Sequence, residues 1–197
     1  MSDWYTEVEG KEKLTQGDIV FNCPVVVTYA KDNVLKAGKI QSNFIVLSQA
    51  CDLENDKISN ITLAEVLSME QVNTILGKQN NTNIDLNNSM KRFDTSKSIK
   101  NFGKEINKNA YPRYQILDKY KSLNLELPFS IIDFSEIHNI PSDYFKSQLV
   151  GLGYRLRINS PYRELIAQRF GSFYSRIGLP TVIGEELEKD LQMINSK

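Results

Sequence analysis

Residues 45–56, IVLSQACDLEND, run from an apolar segment directly into side chains that could do chemistry. Ser48, Gln49, Cys51 and Asp52 stand together where a buried strand is expected to end, and they are the first candidate catalytic residues. A polar cluster at such a place fits an active site, a metal site, a buried ion pair or an ordinary turn. The surrounding sequence narrows this choice.

The acids of this stretch, Asp52, Glu54 and Asp56, alternate as the ligands do at the start of a calcium loop. The sequence departs from that loop because Lys57 stands where the sharp turn needs glycine, and Leu63 stands where a bidentate glutamate would be. The chain also has two cysteines and one histidine, which are too few for a classical four-ligand zinc site. We therefore predict no metal site and no cofactor.

Two interpretations of Cys51 follow from its neighbours. A catalytic cysteine usually needs a histidine or another cation to hold its thiolate, and His138 is the only histidine of the chain. The favoured interpretation is therefore a buried, unreactive thiol at the end of a strand. In the alternative, Cys51 is a nucleophile beside Asp52 as its general base.

Arg163 is the candidate partner for the acids. In the helix that SPYRELIAQRFGSFYSRIGLP predicts, Arg163 lies at the edge of the apolar stripe that contains Ile166 and Phe170. A guanidinium there must meet a carboxylate or carbonyl groups, because a buried unpaired charge is strongly destabilising. We expect Asp52 to accept hydrogen bonds from Arg163, which would tie the sheet to the helix. Arg169 falls on another face and is expected to be exposed.

Short strands must position these residues. The sequence QGDIVFNCPVVVTYA predicts two strands separated by a break at Cys23-Pro24, KDNVLKAGKIQS predicts a turn-rich connector, and NFIVLSQ and NITLAEV predict two more strands. Later strands are predicted at RYQILDKY, LPFSIIDFSEI and YRLRINS, with a short helix at PSDYFKSQL. Closely spaced short strands favour a small curled sheet or a barrel over a doubly wound sheet.

We therefore predict an α+β fold: a small, strongly curved, mostly antiparallel sheet or an SH3-like barrel, with a C-terminal helix packed on the sheet. A helical lobe is expected as an insertion at 68–109, where the sequence is rich in asparagine and lysine and Ser68 is suited to cap the first helix. The 197 residues are predicted to form a single domain.

The net charge of zero is unevenly distributed. Residues 1–70 hold 11 acidic and 6 basic residues, whereas residues 71–120 hold 4 acidic and 9 basic residues. Nucleic-acid binding needs a local basic surface, so the predicted nucleic-acid-binding residues lie in the insertion. They are Lys91, Arg92, Lys97, Lys100 and Lys104. No apolar run approaches the roughly 20 residues of a membrane span, so we expect a cytoplasmic protein with no membrane partner.

The order QGDIV, FIVLSQ, ITLAEV resembles the early strands of the PemK/MazF-like toxins over residues 16–67. The resemblance implies an SH3-like barrel that cleaves single-stranded RNA. Those toxins carry a catalytic arginine just before the second strand, whereas Ile40-Gln41-Ser42-Asn43 stands at the matching place here. The segments SQACD, RLRINSPYRE and SRIGLP also resemble a group of short bacterial proteins of unassigned function from mobile or defence-type gene neighbourhoods.

Two classes of function follow. The first is a toxin-like or defence-associated protein, of a toxin–antitoxin or antiviral kind, that binds single-stranded RNA or nucleotide, with or without cleaving it. The second is a non-catalytic interaction or regulatory module with a protein partner. The sequence indicates neither the oligomeric state nor the substrate.

Overall fold

A computed structural model of the chain describes residues 4–72 and 111–175. Within these ranges the strands are β1 (Tyr5–Glu9), β2 (Asp18–Lys31), β3 (Val34–Val46), β4 (Asn60–Ser68), β5 (Tyr114–Leu117), β6 (Tyr120–Lys121), β7 (Glu126–Leu127), β8 (Ser130–Pro141) and β9 (Tyr154–Ile158). The helices are α1 (Ala50–Glu54), α2 (Ser142–Val150) and α3 (Tyr162–Tyr174). This confirms the predicted α+β class. None of the helices in these ranges is long and apolar enough to cross a membrane.

Seven strands form one antiparallel sheet in the order β1-β9-β2-β3-β4-β8-β5. In a flat sheet with strands about 4.8 Å apart, the two edge strands would be separated by roughly 29 Å. Instead, the hydroxyl of Tyr5 in β1 donates to the carbonyl of Asp118, directly after β5, at 2.7 Å. The sheet is therefore strongly curled. Its two edges do not pair with each other among the described strands, so an SH3-like closure is not confirmed.

The sheet carries an apolar core on each face because successive residues of a strand point to opposite sides. Ile19 and Ile45 face the inside of the curl, whereas Val20 and Phe44, their neighbours in sequence, face outward, and all four are 0% exposed. Helix α3 covers the inner core through Ile166. Helices α1 and α2 cover the outer core.

The predicted packing of the C-terminal helix on the sheet is confirmed, because Ile166, Phe170 and Phe173 all contact the inner core. The expectation that Arg169 is exposed is wrong. Its guanidinium donates to Gln115 Oε1 at 2.7 Å and to the carbonyl of Tyr114 at 2.8 Å. The reason is that the edge strand β5 offers acceptors directly beside the helix, and the helical wheel does not show them.

Strands β2 and β3 form one long hairpin, where the sequence predicts two strands and a connector. Asp32 and Asn33 join them with φ values of 55° and 58°, as a two-residue type I′ turn requires. The predicted break at Cys23-Pro24 is a bulge, with Asn22 at a φ of 49°, inside a continuous strand. The prediction of a connector is wrong, because the backbone of these residues pairs with β2. The sequence does not indicate this strand, since lysine and glycine have low strand propensity.

The start of the predicted insertion agrees with its sequence signal. Ser68 Oγ accepts the backbone N–H of Gln71 at 3.1 Å, and Gln71 Oε1 accepts the backbone N–H of Ser68 at 2.8 Å. This reciprocal capping box begins a helix at residue 69. Residues 73–110, and with them the rest of the predicted lobe, lie outside the described residues.

A buried ion pair joins β9, β2 and the loop after β1. Arg155 and Asp18 are both 0% exposed, and Arg155 Nε donates to Asp18 Oδ2 at 2.8 Å. The other guanidinium nitrogens donate to the carbonyls of Glu9, Gly10, Glu12 and Lys13 at 2.6–3.0 Å. All five donors of the guanidinium therefore have an acceptor. Arg157 donates to Asp18 Oδ1 at 2.7 Å and completes the cluster.

We predict that Arg155→Met lowers the free energy of unfolding by about 3–5 kcal/mol, because it leaves a buried carboxylate and four carbonyls without this donor. Urea unfolding followed by circular dichroism measures the change. Lys121→Met is the matched control, since it breaks the exposed ion pair between Lys121 and Glu126 and should cost less than about 1 kcal/mol. A loss for Arg155→Met no larger than the control's would contradict the prediction.

Candidate functional site

The candidate catalytic residues Ser48 and Gln49 have structural roles where β3 ends. Ser48 Oγ accepts the backbone N–H of Thr62 in β4 at 2.8 Å, so the hydroxyl continues the ladder past the last residue of β3. Gln49 precedes α1, and its carbonyl accepts the N–H of Leu53 at 3.1 Å. Leu53 is buried in the outer core and holds the short helix on the sheet. These contacts fit a turn between strand and helix.

The expectation that Cys51 is buried is wrong. Helix α1 directs Leu53 toward the outer core and leaves Cys51 exposed to solvent. Its Sγ lies 3.7 Å from Gln49 Oε1 and 3.8 Å from Asp52 Oδ1. Neither contact is with a cation, so these neighbours do not stabilise a thiolate. The buried cysteine is Cys23 in β2, and burial raises its pKa to about 11.

These environments predict opposite reactivities for the two thiols. Iodoacetamide at pH 7.5 should alkylate Cys51 in the native protein and leave Cys23 unmodified, because Cys23 is both covered and almost entirely protonated at that pH. Peptide mass spectrometry after timed quenching identifies the labelled residue. In urea both cysteines should react, which serves as the control. Labelling of Cys23 as fast as Cys51 before unfolding would contradict the structure.

The expected pair between Asp52 and Arg163 is not formed. Arg163 donates instead from Nε and Nη2 to Oε1 of its neighbour Glu164, at 3.1 and 2.6 Å, and this contact lowers the pKa of Glu164. The aliphatic part of Arg163 packs on Gly17, where a Cβ atom would lie 3.1 Å from Arg163 Cγ. The charge of Arg163 is thus satisfied at the surface, and no acid from the sheet is needed.

No hydrogen bond or ion pair in the described part of the chain joins Arg163 to Ser48, Gln49, Cys51 or Asp52. Ser48, Gln49, Cys51 and Asp52 lie at one corner, and Arg163 forms its ion pair within α3. No group of three or more His, Cys, Asp or Glu side chains in residues 4–72 and 111–175 could hold a metal ion. The predicted nucleic-acid-binding residues lie outside these ranges: Lys91, Arg92, Lys97, Lys100 and Lys104.

The most exposed regular structure in the described residues is the outer part of the β2–β3 hairpin, residues 26–39, which we call the arm. Strand β9 pairs with β2 only at Asp18 and Ile19, and β4 pairs with β3 only at Asn43–Val46. Beyond these points the two strands of the hairpin pair only with each other among the described strands. The arm therefore projects from the sheet with both edges open.

The register of the arm defines two faces, since directly paired residues share a face. The tyrosine face carries Val27, Tyr29, Lys31, Val34, Lys36 and Gly38, and the leucine face carries Val26, Thr28, Ala30, Leu35, Ala37 and Lys39. The ring of Tyr29 lies diagonally over Gly38, where a Cβ atom would come within 3.0 Å of Tyr29 Cε1. Gly38 thus leaves the space in which the ring lies flat on the strand.

Several large apolar side chains of the arm remain in water. The exposed fractions are 68% for Val26, 48% for Tyr29, 55% for Val34 and 75% for Leu35. Exposed aromatic and aliphatic groups that lie together on one element are typical of a binding surface.

The arm also carries uncompensated positive charge. Residues 26–39 contain one acid, Asp32, and three lysines: Lys31, Lys36 and Lys39. The ammonium groups of the three lysines form no ion pair and no hydrogen bond within the described part of the chain. Lys36 is the direct cross-strand partner of Tyr29. Lys31 lies two residues after Tyr29 on the same strand and the same face. Two ammonium groups therefore flank one exposed aromatic ring.

Comparison of the sequence with protein-family models and with curated proteins finds no match. The arm is thus inferred from geometry alone. Part of the signal for it is in the sequence, because Asp32-Asn33 follows the β-rich run VVVTYA and precedes Val34-Leu35. Asparagine and aspartate tolerate positive φ, so this dipeptide suits a type I′ turn between paired strands.

Proposed function

We propose that this protein binds single-stranded RNA through the tyrosine face of the arm, without cleaving it. The observation that carries the proposal is the exposed ring of Tyr29 with Lys31 and Lys36 on the same face. Proteins that bind single strands combine aromatic rings, on which bases stack, with cations that follow the phosphates. Lys31 lies within about 7 Å of Tyr29 along the strand, so one nucleotide can meet both groups.

The candidate catalytic residues support binding without cleavage. Ser48 uses its hydroxyl to hold Thr62, and the Cys51 thiol contacts an amide and a carboxylate but no cation. Cleavage of RNA needs groups that stabilise the charge of the transition state, and arginine often has this role. The Arg163 guanidinium is paired with Glu164 instead.

The proposal includes two further predictions from the sequence: a toxin-like or defence-associated role, and an SH3-like barrel. A toxin-like or defence-associated role is compatible with an RNA-binding protein, because such proteins act on cellular or phage transcripts. An SH3-like barrel is compatible with the curled sheet, in which Tyr5 bridges from one edge strand toward the other. Both remain predictions that the arm alone does not test.

We expect Tyr29→Ala to weaken binding of a fluorescein-labelled RNA 12-mer by roughly five- to 150-fold, since stacking on one ring contributes about 1–3 kcal/mol per base. Lys31→Gln combined with Lys36→Gln should reduce the slope of log affinity against log salt concentration by about 1.4. Fluorescence anisotropy at several salt concentrations measures both effects. The RNA should remain intact on a denaturing gel.

Matched controls separate the arm from general surface effects. Tyr144→Ala removes a ring that is 44% exposed on α2, close to the 48% of Tyr29, and Lys57→Gln removes a lysine on the loop after α1. Neither change should alter RNA affinity. If Tyr29→Ala binds as tightly as Tyr144→Ala, the arm is not the RNA site.

The insertion predicted from its charge is tested in the same assay. Replacement of Lys91, Arg92, Lys97, Lys100 and Lys104 by glutamine should leave most of the affinity intact if the arm is the principal site. If that variant loses binding while Tyr29→Ala retains it, the sequence-based assignment of the insertion is correct and the arm is not the site.

A second candidate function is protein binding, which the leucine face of the arm favours. Val26 and Leu35 are the two most exposed apolar residues of the arm, and the cross-strand pairs Thr28–Ala37 and Ala30–Leu35 extend the same apolar surface. A second copy of the chain is the partner that can be tested directly. Light scattering at increasing concentration should then show a dimer, and Val26→Thr with Leu35→Thr should return it to monomer. A monomer at every concentration would contradict self-association.

A further inference from the structure

A cavity of about 330 Å³ lies on the outer side of the fold, between the loop after β1, the end of α1 and helix α2. Leu14, Leu53 and Leu149 form its apolar wall. Lys11, Lys13 and Lys146 stand around its polar side together with the acids Glu12 and Asp56. The volume falls in the range of pockets that hold small molecules, and its lining contains no residue of the arm.

The buried guanidinium of Arg155 fixes the loop that forms one wall of this cavity. It draws the carbonyls of Glu9, Gly10, Glu12 and Lys13 inward, and Arg157 donates to the same Lys13 carbonyl at 2.7 Å. With its carbonyls turned toward the guanidinium groups, the loop has few ways to rearrange. The wall is therefore preformed, which lowers the entropic cost of binding a ligand.

The three lysines differ in how their charge is compensated. Lys11 forms an ion pair with Glu9 at 2.7 Å, and Lys146 forms one with Asp56. Lys13 Nζ donates to the carbonyl of Glu54 at 2.8 Å and forms no ion pair in the described part of the chain. An ammonium group has three donors, so Lys13 retains donors and a full positive charge beside the cavity.

Three lysines and two acids line the cavity, so the formal charge of its lining is +1. The pKa of Asp56 is lowered, first by its hydrogen bond from Lys146 and by that residue's charge, and further by the charge of Lys13. The field of Lys13 therefore reaches the cavity edge at which Asp56 lies. A negatively charged group entering the cavity would meet the same field.

We propose that this cavity binds a small amphipathic anion whose apolar body contacts Leu53 and Leu149 and whose carboxylate or phosphate accepts hydrogen bonds from Lys13. The apolar wall excludes ligands that are polar throughout, and the uncompensated ammonium favours an anionic head over a neutral one. The site does not depend on RNA binding by the arm. It requires only the loop, α1 and α2.

Isothermal titration with four probes tests each part of the proposal. Octanoate and octyl phosphate carry both a chain and a negative head, octanol carries the chain alone, and inorganic phosphate carries the charge alone. We expect saturable 1:1 binding of octanoate, octyl phosphate or both below their micelle concentrations, and the tighter of the two identifies the head group. Octanol and inorganic phosphate should bind at least roughly tenfold more weakly.

Variants assign the binding to this cavity. Lys13→Gln should weaken binding of the tighter probe roughly tenfold or more through loss of a charged hydrogen bond, and Lys121→Gln, at an exposed lysine outside the cavity lining, should leave it unchanged. Val150→Trp, at a rim position that is 78% exposed, should obstruct the cavity without disturbing the core. The proposal is overturned by absence of saturable binding of both chain anions, by octanol binding as tightly, or by an unchanged affinity in Lys13→Gln.

Discussion

The buried pair of Asp18 and Arg155 is the interaction on which the arrangement of the sheet edge depends. Two charges without solvent contact cost several kcal/mol to desolvate, and a buried ion pair is therefore weak evidence for stability in itself. Here the cost is offset because every guanidinium donor has an acceptor and Arg157 shares the carboxylate. The geometry of this one side chain thus fixes β9 against β2 and fixes the loop that follows β1.

The same constraint shapes the outer surface. The carbonyls of residues 9, 10, 12 and 13 are drawn toward Arg155, and the loop places its lysine side chains beside the cavity. Leu14 follows directly and enters the outer core. A rigid loop with an apolar anchor and outward cations is therefore a consequence of the ion pair, and the cavity is a consequence of the loop.

The sequence was informative where a pattern is local. Helical spacing predicted α3 and its packing, Ser68 predicted a helix start, and β-branched runs predicted most strands. The ion pair of Arg163 is local too, since its partner is the next residue, but helical spacing does not reveal it. A helical wheel locates a charge relative to an apolar stripe, but it does not show whether the neighbouring Glu164 already satisfies that charge.

The cluster around Arg155 was missed for a related reason. Arg155 and Arg157 alternate in YRLRI as the exposed residues of a half-buried strand would, and the sequence alone does not show that both donate to a buried carboxylate. Asp18, the acid they share, lies in QGDIV and reads as part of a turn. Long-range contacts over more than 130 residues, such as this one, depend on the strand order β9-β2, which short-range patterns do not specify.

The polar groups of the fold separate into those with a structural role and those without one. Ser48 extends a ladder, Arg155 holds a loop, and Arg163 is paired within its own helix. Lysines on open strand edges oppose unwanted pairing with other strands, which gives the arm a reason to carry charge even without a ligand. That reason does not explain an exposed tyrosine lying over a glycine on the same face as two lysines, because edge protection needs no aromatic ring. It is this combination, rather than charge alone, that distinguishes the arm from an ordinary protected hairpin.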